Sequence, residues 1–193
     1  LGISLLLVRY FYYSCFNFKL LLTISIAIIT SALLSTYLLD LSWDGQTYHQ
    51  ETIIQLQQGW VPHQTRVVLP APDTGGSLWI NHYPQSAELF AAHIYTLSNN
   101  IETAKMGNIL WVITTGLLAV AILQRLFSER KFLIICASIA IALNPVSSYQ
   151  LFTHYIDGQL ALSVTCLILL LLKWYQTKSF FSLDHYILIP LLA

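Results

Sequence analysis

Residues 20–39 carry no charge, and that stretch narrows what the chain can become more than any other. A helix needs ~20 apolar residues to cross the hydrocarbon core of a bilayer. Lys19 precedes the run and Asp40 closes it. The pattern recurs at residues 106–124, at 132–152 with Asn144-Pro145 near its end, and at 160–172, which is short unless residues 155–159 add a turn. A further run opens at 187–193. The expected fold is all-α: a polytopic transmembrane helix bundle with a large non-cytoplasmic loop, residues 40–105, carrying surface-lying amphipathic helices. Composition agrees, since 9% of residues are charged and 56% hydrophobic, whereas soluble domains are near a quarter charged. A formal net charge of zero argues against a nucleic-acid partner, which would need a basic face.

Lysine and arginine in short loops set orientation. Lys19, Arg125, Arg130, Lys131, Lys173 and Lys178 fall on one side of the expected spans. Residues 125–131 and 173–186 are therefore expected to be cytoplasmic, and 40–105 and 153–159 non-cytoplasmic, in a multi-pass protein of the plasma or inner membrane. Residues 1–19 are a short span, the tail of one, or an interfacial helix. Cys15, Cys136 and Cys166 have no metal or redox spacing. Methionine occurs only at position 106 and the last apolar run stops at Ala193, so an N-terminal piece of a longer protein is expected.

Inside the loop, residues 47–58 read as a short amphipathic helix with Ile53, Ile54 and Leu56 as its apolar surface and Gly59 at its end. Residues 61–77 hold Pro62, Pro70, Pro72 and Gly75-Gly76 and read as irregular. A second helix is expected from Pro84 to Asn99, with Ala87, Phe90, Ile94 and Leu97 on one face.

The loop also concentrates the chain's reactive side chains. Asp44, just past the first span and beside Gly45, is either a carboxylate made more basic by partial desolvation or a cap on the helix that follows. Tyr48 is a sugar contact or an interface aromatic, and His49 a phosphate or carboxylate contact or a polar helix residue. His82, Tyr83 and Glu88 surround the start of the second helix, where an acid is favoured by the helix dipole alone. His154 and Asp157 stand at the lip of the fourth span in Thr-His-Tyr-Ile-Asp-Gly. Arg66, the one basic residue of 40–100, is a phosphate ligand or a solvated arginine. Trp43, Trp60 and Trp79 are sugar-stacking surfaces or interface anchors. Histidine and carboxylate ligands suit zinc or manganese, but no His-x-x-x-His or Cys-x-x-Cys spacing occurs.

Trp-Asp-Gly-Gln-Thr-Tyr-His, residues 43–49, resembles the first-loop signature of the polytopic GT-C glycosyltransferases. Asn-His-Tyr-Pro-Gln-Ser-Ala-Glu-Leu, residues 81–89, is similar to their Tyr-Pro-Pro-x-x-Glu-Leu segment, with Gln85 at the second proline. The relatives of protein O-mannosyltransferases and aminoarabinose transferases are the nearest branch, over roughly residues 20–175. The resemblance implies transfer of a sugar from a polyprenyl-phosphate donor to an acceptor outside the cytoplasm. Asp44 matches the base. Tyr48, His49, Arg66, His82, Tyr83, Glu88, His154 and Asp157 become expected substrate contacts. The implied partners are the lipid-linked donor, membrane lipid and an unspecified acceptor. A divalent metal is admitted rather than required, because some such enzymes use one and others do not. A transporter or channel, and a non-catalytic assembly subunit, are the competing readings. Transporters place ionisable groups at mid-membrane, whereas these runs are charge-free and the acids cluster outside them.

Overall fold

The computed structural model describes residues 18–70 and 75–177, and among them every regular element is helical. Residues 1–17, 71–74 and 178–193 lie outside the described residues. With them go most of the expected 1–19 segment, Asp73, Lys178, most of the 173–186 loop and the run at 187–193.

Helix α1 is Phe18–Tyr37, matching the first uncharged run. Its inward face is polar and its outward face greasy. Ser31 and Ser35 are fully buried, while Leu22, Ile26, Ile29 and Leu33 are exposed. That is the reverse of a soluble amphipathic helix, and small residues at the contact let helices approach closely.

A single π-helical turn, Gly45–His49, leads into α2, Gln50–Gln57. The chain then reverses at Gly59, whose φ of 93° lies in the left-handed region that favours glycine. Helix α3 is Gly76–His82, in a stretch whose first half was expected to be irregular and whose second half had no expected helix. Helix α4, Ser86–Ser98, ends at Asn99 with φ 52°, the expected stop. A 3-10 turn, Ile101–Lys105, runs directly into α5, Met106–Leu126. Helix α6 is Lys131–Ala142, α7 is Pro145–Tyr149, and α8 is Asp157–Thr177.

Two helical stretches are long and apolar enough to cross a membrane: Ile101–Leu126 and Asp157–Gln176. The run 132–152 is not one helix, in contrast to the span expected there. Asn144 accepts from Ser147 N at 3.0 Å and Pro145 takes the first helical position, so α7 starts afresh after a break. The 12 residues of α6 reach about 18 Å at 1.5 Å per residue, short of a hydrocarbon core of about 30 Å. The last run gains its missing turn, because α8 opens at Asp157 rather than at residue 160.

Helix α5 is central, packing against α1, α6 and α8. Ala119 and Ile122 of α5 meet Leu169 of α8 and Ile141 of α6, and Thr115 and Cys166 bond across α5 and α8 at 3.2 Å. In the loop region α2 packs on α4. Ile53 and Leu56 bury against Ala91, Ala92, Tyr95 and Ala104. The face expected to be α4's apolar seam is turned elsewhere. Phe90 and Leu97 are exposed, and Ala87 and Phe90 border the groove described next.

Candidate functional site

The start of the π turn is fixed by Asp40 and Ser42. Ser42 Oγ accepts from Gly45 N at 3.2 Å, the usual work of a helix N-cap. Asp44 makes no capping hydrogen bond. Its carboxylate is therefore released from the capping alternative. The side chain is half-buried, and Tyr48 and Tyr155 lie close enough to feel its charge. Burial first, and the Asp44 carboxylate next, raise the Tyr48 and Tyr155 hydroxyls above the ordinary tyrosine range.

Gly45 serves a purpose other than a sharp turn. Its φ is not positive. A Cβ at this position would land on the Asp40 carboxylate and on Ser42 Oγ, so glycine is needed for close approach.

Tyr83 lies near three acids. Burial raises its hydroxyl most, followed by the Asp157, Glu88 and Asp44 carboxylates. Asp157 is exposed and is oriented by Gln150, whose Nε2 donates to Asp157 Oδ2 at 3.0 Å and whose Oε1 accepts from Gly158 N at 2.6 Å. Asn108 of α5 holds the approach to Asp157 in place. Its Nδ2 lies 3.0, 2.8 and 3.3 Å from the carbonyls of Gln150, Thr153 and Tyr155.

Tyr83 and Asp157 also line a groove of about 890 Å³ between α4, α5 and α8. Phe90, Leu110, Trp111, Ile156 and Leu160 wall it, and Gly107 keeps it open. Asp157 is the one carboxylate among its lining side chains, and no lysine, arginine or histidine lines it. The expected residues thus divide into groups. Asp44, Tyr48, Tyr83 and Asp157 come together with Tyr155, which sequence reasoning had not chosen.

Two of the three histidines expected to touch substrate, His49 and His154, are internal. His49 is 1% exposed, and its Nδ1 bonds Glu88 Oε1 at 3.0 Å. Its ring meets those of Tyr83 and Tyr155 edge-on at 5.6 and 5.8 Å. The pair fastens the π turn to α4 and supports the tyrosines from behind. Glu88 is likewise buried, with Oε2 unpartnered. His154 is buried too, its Nδ1 2.8 Å from Asp40 Oδ2 and its Nε2 3.0 Å from the Ile101 carbonyl.

Arg66 and His82 are exposed and do not line the groove. The His82 ring donates to the Leu78 carbonyl at 2.8 Å. Lys105, the other loop cation, is folded inward, where its ammonium meets Glu102 and the Leu38 carbonyl. Trp79 lies over Tyr48 at 6.1 Å and edge-on to Tyr83 at 6.2 Å, with 45% of its surface exposed. Among the described residues no group of three or more His, Cys, Asp or Glu side chains is arranged to hold a metal ion.

Asp40 is the residue the sequence undersold. It read as the end of a span, yet its carboxylate is buried at 2% exposure and accepts from Ser42 and His154. Burial by itself would raise its pKa. The hydrogen bonds from His154 and Ser42 outweigh that and hold it well below the usual carboxylate range. The signal available in sequence was Asp-x-Ser, an acid two residues before a hydroxyl, which commonly forms a local side-chain-to-backbone turn.

Comparison with family models, curated proteins and solved structures finds no match to this chain.

Proposed function

We propose that this chain is a membrane-embedded glycosyltransferase that moves a sugar from a polyprenyl-phosphate donor to an acceptor on the non-cytoplasmic face, with Asp44 as the base. One observation carries the reading. The Asp157, Glu88 and Asp44 carboxylates all act on Tyr83, and Tyr83 lines an apolar groove large enough for a lipid chain. The groove offers the donor's hydrocarbon a place between α5 and α8. The carboxylates and tyrosine hydroxyls offer hydrogen-bond partners to sugar hydroxyls. Asp44 accepts the acceptor's proton as its oxygen or nitrogen attacks the anomeric carbon, and the lipid phosphate departs with the bonding electrons. A phosphate is already a good leaving group, so positioning and a general base suffice.

The reading includes a polytopic arrangement, with α1, α5, the broken segment of α6 and α7, and α8 crossing the bilayer and residues 40–105 outside it. The outward apolar face of α1 and the charge-free middles of α5 and α8 support it. Those same charge-free middles weigh against a transporter, whose ionisable ligands belong at mid-membrane.

In the full-length protein, Asp44→Asn is expected to insert normally and to transfer no sugar from a polyprenyl-linked donor. Transfer at the normal rate would overturn the assignment. In a cysteine-free background, Gln64→Cys should react with an impermeant thiol reagent from the non-cytoplasmic side, and labelling from the cytoplasm alone would reverse the topology.

A further inference from the structure

We propose that Asp40 is a positioning residue for the site, setting Asp44 through Gly45 and setting Tyr155 and Asp157 through His154; the catalytic meaning of this rests on the function proposed above. Asp40 reaches no substrate space, being 2% exposed and absent from the groove. Its two oxygens are divided between the two halves of the site. Oδ1 takes the Ser42 N–H at 2.8 Å and the Ser42 hydroxyl at 2.6 Å. Oδ2 takes the backbone N–H of His154 at 2.7 Å and faces His154 Nδ1 at 2.8 Å, across 114 positions of sequence. His154 Nε2 faces a carbonyl, so it carries hydrogen.

Geometry carries the carboxylate's influence outward in both directions. On one side Gly45 packs so closely on the Asp40 carboxylate that a methyl group would collide with it, and Asp44 is the preceding residue. On the other side His154 is followed by Tyr155, whose ring meets that of His49 in the π turn at 5.8 Å and which lies near Asp44, and Asp157 lies two residues further on. Asp40 is itself held from behind. Its N–H donates to Glu102 Oε2 at 3.0 Å, and Glu102 is paired with the buried Lys105. Gln50 Nε2 lies 3.3 Å from His154 Nδ1, adding a contact from α2. An aspartate needed only as a local cap would use one oxygen on Ser42. Here the second oxygen is committed wholly to the distant loop.

The test uses the full chain in lipid nanodiscs with ¹³Cζ-tyrosine, and Tyr48 and Tyr155 signals assigned by Tyr→Phe variants. Asp44→Asn should let both hydroxyls titrate at lower pH, since the nearby carboxylate is gone. Asp40→Asn leaves Asp44 charged. If Asp40 places that charge, both hydroxyls should still titrate lower, by on the order of one pH unit. A folded Asp40→Asn with both titrations unchanged overturns the proposal. Should Asp40→Asn fail to fold, Ser42→Ala carries the test, because it frees only the Asp44 side. Tyr48 should then move down by a smaller amount, and no movement overturns the proposal. In the transfer assay, Asp40→Asn should lower kcat about 100-fold with KM within about twofold, the mark of misplaced groups rather than lost binding. Tyrosines that move in a protein transferring no sugar would sink the glycosyltransferase reading and leave the positioning role standing.

Discussion

At the level of single residues, acids of one loop have separate tasks, and burial tells them apart. Asp44 and Asp157 keep contact with open space, while Asp40 and Glu88 are internal struts. A buried carboxylate whose partner is removed leaves an uncompensated group, at a cost of about 3–5 kcal/mol. The folded pKa of Asp40 is depressed, so its contribution is complete above the ordinary aspartate value of 3.8 and is lost as pH falls below it. Thermal melts of wild type between pH 6 and pH 3 should fall, and Asp40→Asn should flatten that slope while starting from a lower melting temperature. Gly45→Ala drives a methyl group into Asp40 and Ser42. It is expected to cost about 1–3 kcal/mol by overpacking, read as a lower denaturation midpoint in detergent. Glycine beside aspartate was visible in sequence as a sign of tight geometry. Its partner, a carboxylate of the protein itself, was not, because Asp40 reads equally well as the polar end of a span.

At the level of elements, the helices that sequence located best were those whose ends are chemically marked. Lys19 falls in the first turn of α1 and Asp40 follows its end, and Asn99 stops α4, whereas Asn144-Pro145 restarts the chain within a run expected to cross as one span. Helix α3 was missed because Pro70, Pro72 and Gly75 precede it and Gly76 opens it. Glycine at its N-terminus was read as loop, whereas Gly75 at φ 97° simply turns the chain into the helix. The wrong face of α4 was chosen for a related reason. Periodicity identifies an apolar stripe but not its neighbour, and small residues such as Ala91 and Ala92 pack on α2 while larger Phe90 borders the groove. Asn108 has no sequence signature at all, since one amide inside an apolar helix reads as tolerated polarity. Asn108→Ala removes its contacts to the 150–155 loop. It should cost about 1–3 kcal/mol through unpaired carbonyls and speed amide hydrogen exchange at Tyr155 and Ile156 more than in α1.

At the level of the molecule, the helical character was legible from four uncharged runs, two of which form helices long and apolar enough to cross a membrane, and motif and loop order named Asp44, Tyr83 and Asp157 as one expected site. The groove was not legible, because it is made by three elements whose spacing no local pattern records. It gives a test on the scale of the whole fold. A Cβ at Gly107 would meet both Phe90 and Gln159 across the groove, so Gly107→Leu should fill part of it. With donors of increasing isoprenoid length, KM should rise for the long chains and change little for the shortest, with kcat held within about threefold. Equal KM values across the series would place the lipid elsewhere.

The bond between Asp40 and His154 also has a consequence in time. Its partners are 114 positions apart, so a ribosome adding about 5–20 residues per second leaves Asp40 waiting roughly 6–23 s for its counterpart to be made. Throughout that interval the π turn is without its distant clasp, and the early segment that bears Asp44 must be kept from premature collapse. Competence therefore arrives late and abruptly, with the emergence of the stretch just ahead of α8, and a nascent chain arrested before that point would hold the motif without the geometry.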